Sequence, residues 1–95
     1  MKHTALQLFL AVAATAAVQI ENFKFAPATL EIAAGDTVTW QNHDDEIHAL
    51  SADDGGFRSG GIEGDTVFSH TFEKPGTYLY RCTLHPQMTG KIVVH

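Results

Sequence analysis

Apolar and polar residues alternate along most of this chain downstream of its first residues. Val38 and Trp40 share one face of a predicted strand, and Tyr78, Tyr80 and Cys82 share one face of another. Because successive side chains of a strand point to opposite faces, each segment presents one face to a core and the other to water. Segments rich in β-branched and aromatic residues predict seven strands: Val18 to Phe25, Thr29 to Ile32, Thr37 to Asn42, Ile47 to Ser51, Thr66 to Phe72, Thr77 to Cys82 and Lys91 to Val94.

Turn signals separate these segments, and no later window sustains the 3.6-residue apolar spacing of a helix. The signals are Ala34-Gly35-Asp36, Asp53-Asp54-Gly55-Gly56, Gly60-Gly61 and Lys74-Pro75-Gly76. The pattern therefore predicts an all-β fold, and strands of this number and spacing close best as a two-sheet sandwich or a barrel. The segment Ala52 to Gly64 carries five glycines and is predicted to be a mobile loop.

The first residues have a different pattern, which is typical of a secretory signal. Lys2 and His3 precede the apolar run Ala5 to Ala14, and Ala14-Thr15-Ala16 offers small residues for a signal peptidase. We expect a signal peptide over residues 1–16 and one domain over residues 17–95. The apolar run is shorter than the roughly 20 residues that cross a bilayer, so no membrane span is expected. Export predicts a periplasmic or equivalent location.

The composition indicates one globular domain, and the net charge argues against nucleic acids and anionic membranes as partners. The 95 residues, 44% hydrophobic and 18% charged, suit one globular domain. The formal net charge is −5, and the positive residues are scattered along the sequence. Phosphate backbones and anionic membranes are therefore unsuitable partners.

Three residues with ligand side chains recur at a spacing of three: Cys82, His85 and Met88. A lone cysteine in an exported protein forms an intermolecular bond, packs as an idle thiol, or acts as a thiolate. Thiolate, imidazole and thioether together are soft donors, which favour one copper ion. A second imidazole should come from a distant strand; His48 is the preferred candidate, and His43 is its rival.

Several ordered motifs resemble the cupredoxins, the small blue copper proteins, and most closely the amicyanin and plastocyanin branch. The matching stretches are Phe25-Ala26-Pro27, Gly35-Asp36-Thr37-Val38-Thr39-Trp40, Asn42 with Asp44 and His48, Pro75-Gly76-Thr77-Tyr78, and Cys82-Thr83-Leu84-His85-Pro86-Gln87-Met88. The resemblance implies an eight-strand Greek-key sandwich, a type 1 copper held by His48, Cys82, His85 and Met88, and one-electron transfer. The family often has Asn directly after its first ligand histidine, where it helps to tie two ligand loops together, but this chain has Ala49.

Other polar residues receive structural interpretations. His70 shares a strand face with aromatic residues and is predicted to belong to the core. Tyr80 is predicted to be a corner tyrosine that bonds back to the upstream loop, and Tyr78 is also assigned a structural role. The acidic run Asp44-Asp45-Glu46 is interpreted as a solvated loop face, with docking of a basic partner as the alternative.

Four functions compete on this evidence. The preferred function is a diffusible one-electron carrier that is monomeric and not an enzyme. It would exchange electrons with redox partner proteins through His85, whose ring edge is expected to reach the surface inside a small apolar ring. The others are a copper-delivery protein without redox turnover, a thiol hydrolase or copper oxidase, and a metal-free adhesion domain. A thiol hydrolase needs an exposed thiolate with an oriented base, and oxidases need further histidine clusters.

Overall fold

The structure, a computed structural model, describes residues 12–95, and in this part of the chain every regular element is a β-strand. The prediction of an all-β fold is confirmed. The strands are β1 (Thr15–Glu21), β2 (Lys24–Ala26), β3 (Thr29–Ile32), β4 (Thr37–Asn42), β5 (His48–Ala52), β6 (Arg58–Ile62), β7 (Val67–Thr71), β8 (Gly76–Cys82) and β9 (Thr89–Val94). No helix in the described part is long and apolar enough to span a membrane.

Two sheets pack against each other as a sandwich. One has the order β2-β1-β4-β7 and the other the order β3-β9-β8-β5-β6. β1 pairs parallel to β4, and β3 pairs parallel to β9, so strands distant in sequence become neighbours in both sheets. Such crossing connections are those of Greek-key sandwiches.

The inward faces of both sheets form one core around Trp40. Its ring packs against Phe57, Phe68, Phe72 and Tyr80, with ring centroids 5.5–6.4 Å apart. Burial follows the alternation expected for β4, because Val38, Trp40 and Asn42 are buried while the residues between them are half-buried. This layer fixes β4 and β8 relative to each other, which positions the end of β8 where Cys82 lies.

The first strand starts before the expected signal-peptide boundary. Thr15 and Ala16 pair with Thr37 and Val38 of β4, and the Thr37 N–H donates to the Ala14 carbonyl at 2.9 Å. A cut after Ala16 would therefore fall inside β1. Residues 1–11 of the expected signal lie outside the described residues.

Two local predictions differ from the structure. The predicted strand Val18 to Phe25 divides at Asn22 and Phe23, which form a two-residue hairpin turn between β1 and β2. The predicted mobile loop Ala52 to Gly64 contains β6, which pairs with β5. Phe57 and Ile62 anchor that segment because both side chains are buried in the core.

Of the two tyrosines of β8, Tyr78 makes the hydrogen bond that was expected of Tyr80. The Tyr78 hydroxyl donates to the Lys74 carbonyl at 2.7 Å, so Tyr78 is the residue that bonds back to the upstream turn. Tyr80 faces the core, its hydroxyl has no hydrogen-bond partner, and burial raises its pKa to about 12. The corner prediction for Tyr80 is wrong because its hydroxyl is buried in the core and makes no hydrogen bond to the upstream loop.

Candidate metal centre

Three residues with ligand side chains meet at one end of the sandwich. β5 begins at His48 and β8 ends at Cys82, and the antiparallel pairing of Leu50 with Cys82 brings these ends together. His85 lies in the loop that joins β8 to β9. The scaffold therefore supplies two of the three side chains from the ends of paired strands and the third from a short loop.

The donor atoms of these residues converge. The Cys82 Sγ lies 3.6 Å from His48 Nδ1 and 3.5 Å from His85 Nδ1. One donor atom from each of the three residues lies within 4.8 Å of the other two. His48 and Cys82 are both 0% exposed, whereas His85 is half-buried. The group has one edge close to the surface, and that edge is the ring of His85.

Backbone hydrogen bonds shape the loop that carries His85 and Met88. The Cys82 N–H donates to the Met88 carbonyl at 2.9 Å, and the Met88 N–H donates to the His85 carbonyl at 2.9 Å. These bonds fold the six residues after Cys82 into a tight loop that returns Met88 to the start of β9. Met88 is buried, although thioethers are also common fillers of cores. Its ligand role remains a prediction.

Asp44 ties the site to the first hairpin, so the interpretation of all three acidic residues as a solvated face is corrected for Asp44. The Asp44 carboxylate accepts hydrogen bonds from His48 Nε2 at 2.9 Å, Asn22 N–H at 2.7 Å and Phe23 N–H at 2.9 Å. Partial burial raises the pKa of Asp44, but these hydrogen bonds outweigh it, so the net pKa lies below its ordinary value. Asp45 and Glu46 remain exposed.

The contact between Asp44 and His48 determines which nitrogen of the imidazole is available. A neutral His48 that donates through Nε2 has its lone pair at Nδ1, on the side of Cys82. Histidine ligands of metals are commonly oriented in this way, by a carboxylate on the other ring nitrogen. The buried thiol, the oriented imidazole and the second imidazole of His85 therefore fit a soft transition-metal ion, and copper in particular.

Side-chain hydroxyls connect the two segments that carry the ligand candidates. Ser51 of β5 and Thr83, directly after Cys82, form a hydrogen bond through their hydroxyls. The Thr83 N–H also donates to the Ala49 carbonyl at 2.8 Å. Ala49 has no polar side chain that could tie the two segments together. The two bonds of Thr83 instead hold the start of the loop against β5.

The other histidines in residues 12–95 lie apart from this group. His43 is exposed and contacts Gln19, so the structure does not bring it into the site. His70 is half-buried on the core side of β7, where its ring stacks on Phe57 at 4.9 Å, and burial lowers its pKa. His95 pairs with Glu31 at the surface.

Sequence reasoning missed the roles of Phe23, Asp44 and Ser51 around the site. The spacing of Asp44 four residues before His48 was an available signal, since both flank the start of β5. The position of Phe23 in a turn could not be predicted from the sequence, because an aromatic residue inside a β-rich segment is typical of a strand. Its contact with the site depends on the hairpin that β1 and β2 form.

The fold and this group of side chains are those of a known family. A family model described as the cupredoxin-like domain matches residues 3–94, and the chain belongs to that family. The amicyanin of Paracoccus denitrificans is 37% identical over 82 residues, covering 81% of this chain and 63% of that protein. Amicyanin-alpha of Methylorubrum extorquens is 39% identical over 87 residues, covering 81% of this chain and 69% of that protein. The chain thus spans about two thirds of the length of these relatives.

Solved amicyanin structures superpose on most of the chain. A reduced point mutant of amicyanin matches with a TM-score of 0.80 and 32% identity, covering 85% of this chain and 82% of that one. The Cu(I) form of another amicyanin mutant matches with a TM-score of 0.80 and 35% identity, covering 90% of this chain and 86% of that one. The prediction of a cupredoxin similar to amicyanin is confirmed.

Proposed function

We propose that this protein is a one-electron carrier that holds a single type 1 copper ion through His48, Cys82, His85 and Met88. The convergence of the Cys82 thiol with two imidazole Nδ1 atoms, at 3.5 and 3.6 Å, carries this proposal. When bound, copper would supply the couple between Cu(I) and Cu(II), and no substrate would be chemically changed. The similarity to amicyanins, one of them solved in a Cu(I) form, supports the same function.

The rigidity of the scaffold suits this role. His48 and Cys82 stand at the ends of paired strands, and Asp44 and Thr83 add hydrogen bonds on either side of them. Ligands held in this way keep their positions when the charge of the metal changes, so an electron can move with little rearrangement of the protein. Burial of His48 and Cys82 also keeps water away from the thiolate.

An apolar rim of Phe23, Ile47 and Leu84 lies next to the ligand candidates, and we propose that electrons leave through the ring edge of His85 there. Leu84 is 57% exposed beside His85, and Phe23 and Ile47 are also exposed large apolar residues next to ligand candidates. A partner that docks on this rim would contact the ring edge of His85 without opening the site. We propose that redox partner proteins bind here, that the protein works as a monomer, and that it functions after export to the periplasm.

Repeated redox cycling tests this function against copper delivery. We expect the copper-loaded protein to lose its colour with ascorbate and regain it with ferricyanide over many cycles, with one copper retained per chain in the presence of a moderate Cu(I) chelator. Loss of copper to the chelator after the first reduction would contradict an electron carrier and support a delivery protein.

A further inference from the structure

The hairpin turn between β1 and β2 has an unusual residue at its second position. Glu21 pairs with Lys24, so Asn22 and Phe23 are the two central residues, with φ values of 53° and 58°. A two-residue turn with positive φ at both positions favours Asn followed by Gly. A bulky residue with positive φ is a backbone outlier, and such strain persists where surrounding contacts hold it.

Asp44 supplies the contacts that hold this turn. Its carboxylate accepts from the N–H groups of both turn residues, and the oxygen that accepts from Phe23 also accepts from His48 Nε2. One carboxylate thus fixes the turn relative to the buried histidine. The position of Phe23 is therefore coupled directly to the metal centre.

The Phe23 ring rests on both histidines of the site. Its centroid lies 5.2 Å from that of His48 and 5.1 Å from that of His85, with interplanar angles of 82° and 89°. The two histidine centroids are 5.3 Å apart, so the three rings form a nearly equilateral triangle. Edge-to-face contacts of this kind are favourable for aromatic pairs and restrict how each ring turns. Phe23 is 46% exposed, so its other side faces solvent.

We propose that Phe23 is a positioning residue that caps the metal centre, holding both imidazole planes and keeping water from the histidine side of the Cys82 thiol. The inference rests on the copper site proposed above. An apolar shell controls solvent access and local dielectric, and therefore the reduction potential of a metal site. Because water stabilises the more highly charged ion, a closed cap favours Cu(I) and raises the potential.

Replacing Phe23 by Gly removes the capping ring without straining the backbone of the turn. Glycine adopts positive φ without steric cost, and the relief of backbone strain offsets the lost ring contacts, so we expect the metal-free Phe23→Gly protein to keep a urea midpoint close to wild type. Its Cys82 should react faster with iodoacetamide, and its copper should leave to a chelator about ten times faster, because loss of an outer-shell partner typically lowers metal affinity by roughly 10–100-fold. The reduction potential should fall. Phe23→Asn, which also suits this backbone conformation, should give the same changes.

Two controls identify the ring as the cause. Phe23→Tyr keeps an aromatic ring and should retain wild-type alkylation, copper release and potential. Leu79→Ala removes an exposed apolar side chain from another part of the surface and should change none of them. If Phe23→Gly and Phe23→Asn show wild-type alkylation, release and potential, the cap is refuted while the copper site stands. If the wild-type protein takes up no copper, the proposed function fails, and the alkylation of Cys82 in the metal-free proteins still decides whether Phe23 shields the site.

Discussion

The Nε2 atom of His48 lies 2.9 Å from the Oδ2 atom of Asp44, a carboxylate four positions earlier in the chain. Asp44 and His48 stand on opposite sides of the bend that leads into β5, so the hydrogen bond fixes both the bend and the imidazole. The same carboxylate holds the Asn22–Phe23 turn. Asp44 is not a ligand candidate, but its carboxylate connects the bend before β5, the imidazole of His48 and the Asn22–Phe23 turn.

Replacing Asp44 by Ala removes all three of these hydrogen bonds. Hydrogen bonds to a charged acceptor contribute roughly 1.5–3 kcal/mol in favourable cases, so we expect a loss of about 2 kcal/mol in the free energy of unfolding of the metal-free protein. Urea denaturation measures this loss. Asp45→Ala changes an exposed acidic neighbour and should stay within about 0.5 kcal/mol of wild type. Equal effects of the two substitutions would contradict the structural role of Asp44.

The hydroxyl pair of Ser51 and Thr83 should couple the two segments that carry the ligand candidates. A double-mutant cycle with Ser51→Ala and Thr83→Val should give an interaction free energy of about 0.5–1 kcal/mol. The copper-loaded single variants should also differ from wild type in reduction potential, and Thr83→Ser should restore it.

The chain offers a matched control for this pair. Thr39 and Ser69 form an equivalent hydroxyl pair at 2.7 Å between β4 and β7, in the sheet that carries none of the ligand candidates. Their cycle should give a similar interaction free energy without a change in potential. A potential that is insensitive to Ser51 and Thr83 as well would show that their bond only stabilises the fold.

His70 should make the stability of the metal-free protein depend on pH. Burial lowers its pKa in the folded state below the ordinary value of 6.5. The unfolded chain therefore takes up a proton at a higher pH than the folded one, so stability falls as pH drops below about 6.5 and levels off below the folded pKa. His70→Phe keeps a ring against Phe57 and should lose less stability than wild type between about pH 7.5 and 5. Parallel curves for the two proteins would show that His70 does not contribute.

The exposed acidic residues and the apolar rim should act at different stages of partner binding. Asp45 and Glu46 can steer a basic partner, whereas Asp44 must be left intact because its loss disturbs the site. Neutralising Asp45 and Glu46 should slow association with a basic redox protein and flatten its dependence on ionic strength. Leu84→Glu should slow electron transfer even at high salt, because it places a charge in the apolar contact. Stopped-flow kinetics separate the two effects, and a wild-type salt dependence in the Asp45 and Glu46 variant would rule out steering.

Much of the fold was predictable because alternation is a local property. The predicted strands Thr29 to Ile32 and Thr37 to Asn42 match β3 and β4 residue for residue. β6 was missed because its two glycines carry no strand signal, and its pairing with β5 depends on buried anchors on either side of them. Local pattern cannot show such tertiary support.

The ligand candidates of the site were predictable from the sequence, whereas the residues that contact them were not. Ligand chemistry and spacing indicated His48, Cys82 and His85 as neighbours, and the structure places them together. The contact of Asp44 with His48 has a local signal in their spacing of four residues, whereas its bonds to Asn22 and Phe23 depend on the hairpin that β1 and β2 form. Asp44 belongs to a motif of the family resemblance, but an acidic run is usually a solvated loop face, and an aromatic residue in a β-rich segment is usually part of a strand, so the roles of Asp44 and Phe23 were not inferred.

Titration of the metal-free protein with Cu(II), followed by visible absorption, tests the copper assignment most directly. We expect an intense blue charge-transfer band that saturates at one copper per chain, because the Cys82 thiolate is the donor for that transition. The Cys82→Ser protein should remain folded by circular dichroism and show no such band. An equally blue Cys82→Ser protein, or a folded wild-type protein that stays colourless with Cu(II), would contradict the assignment of a type 1 copper site.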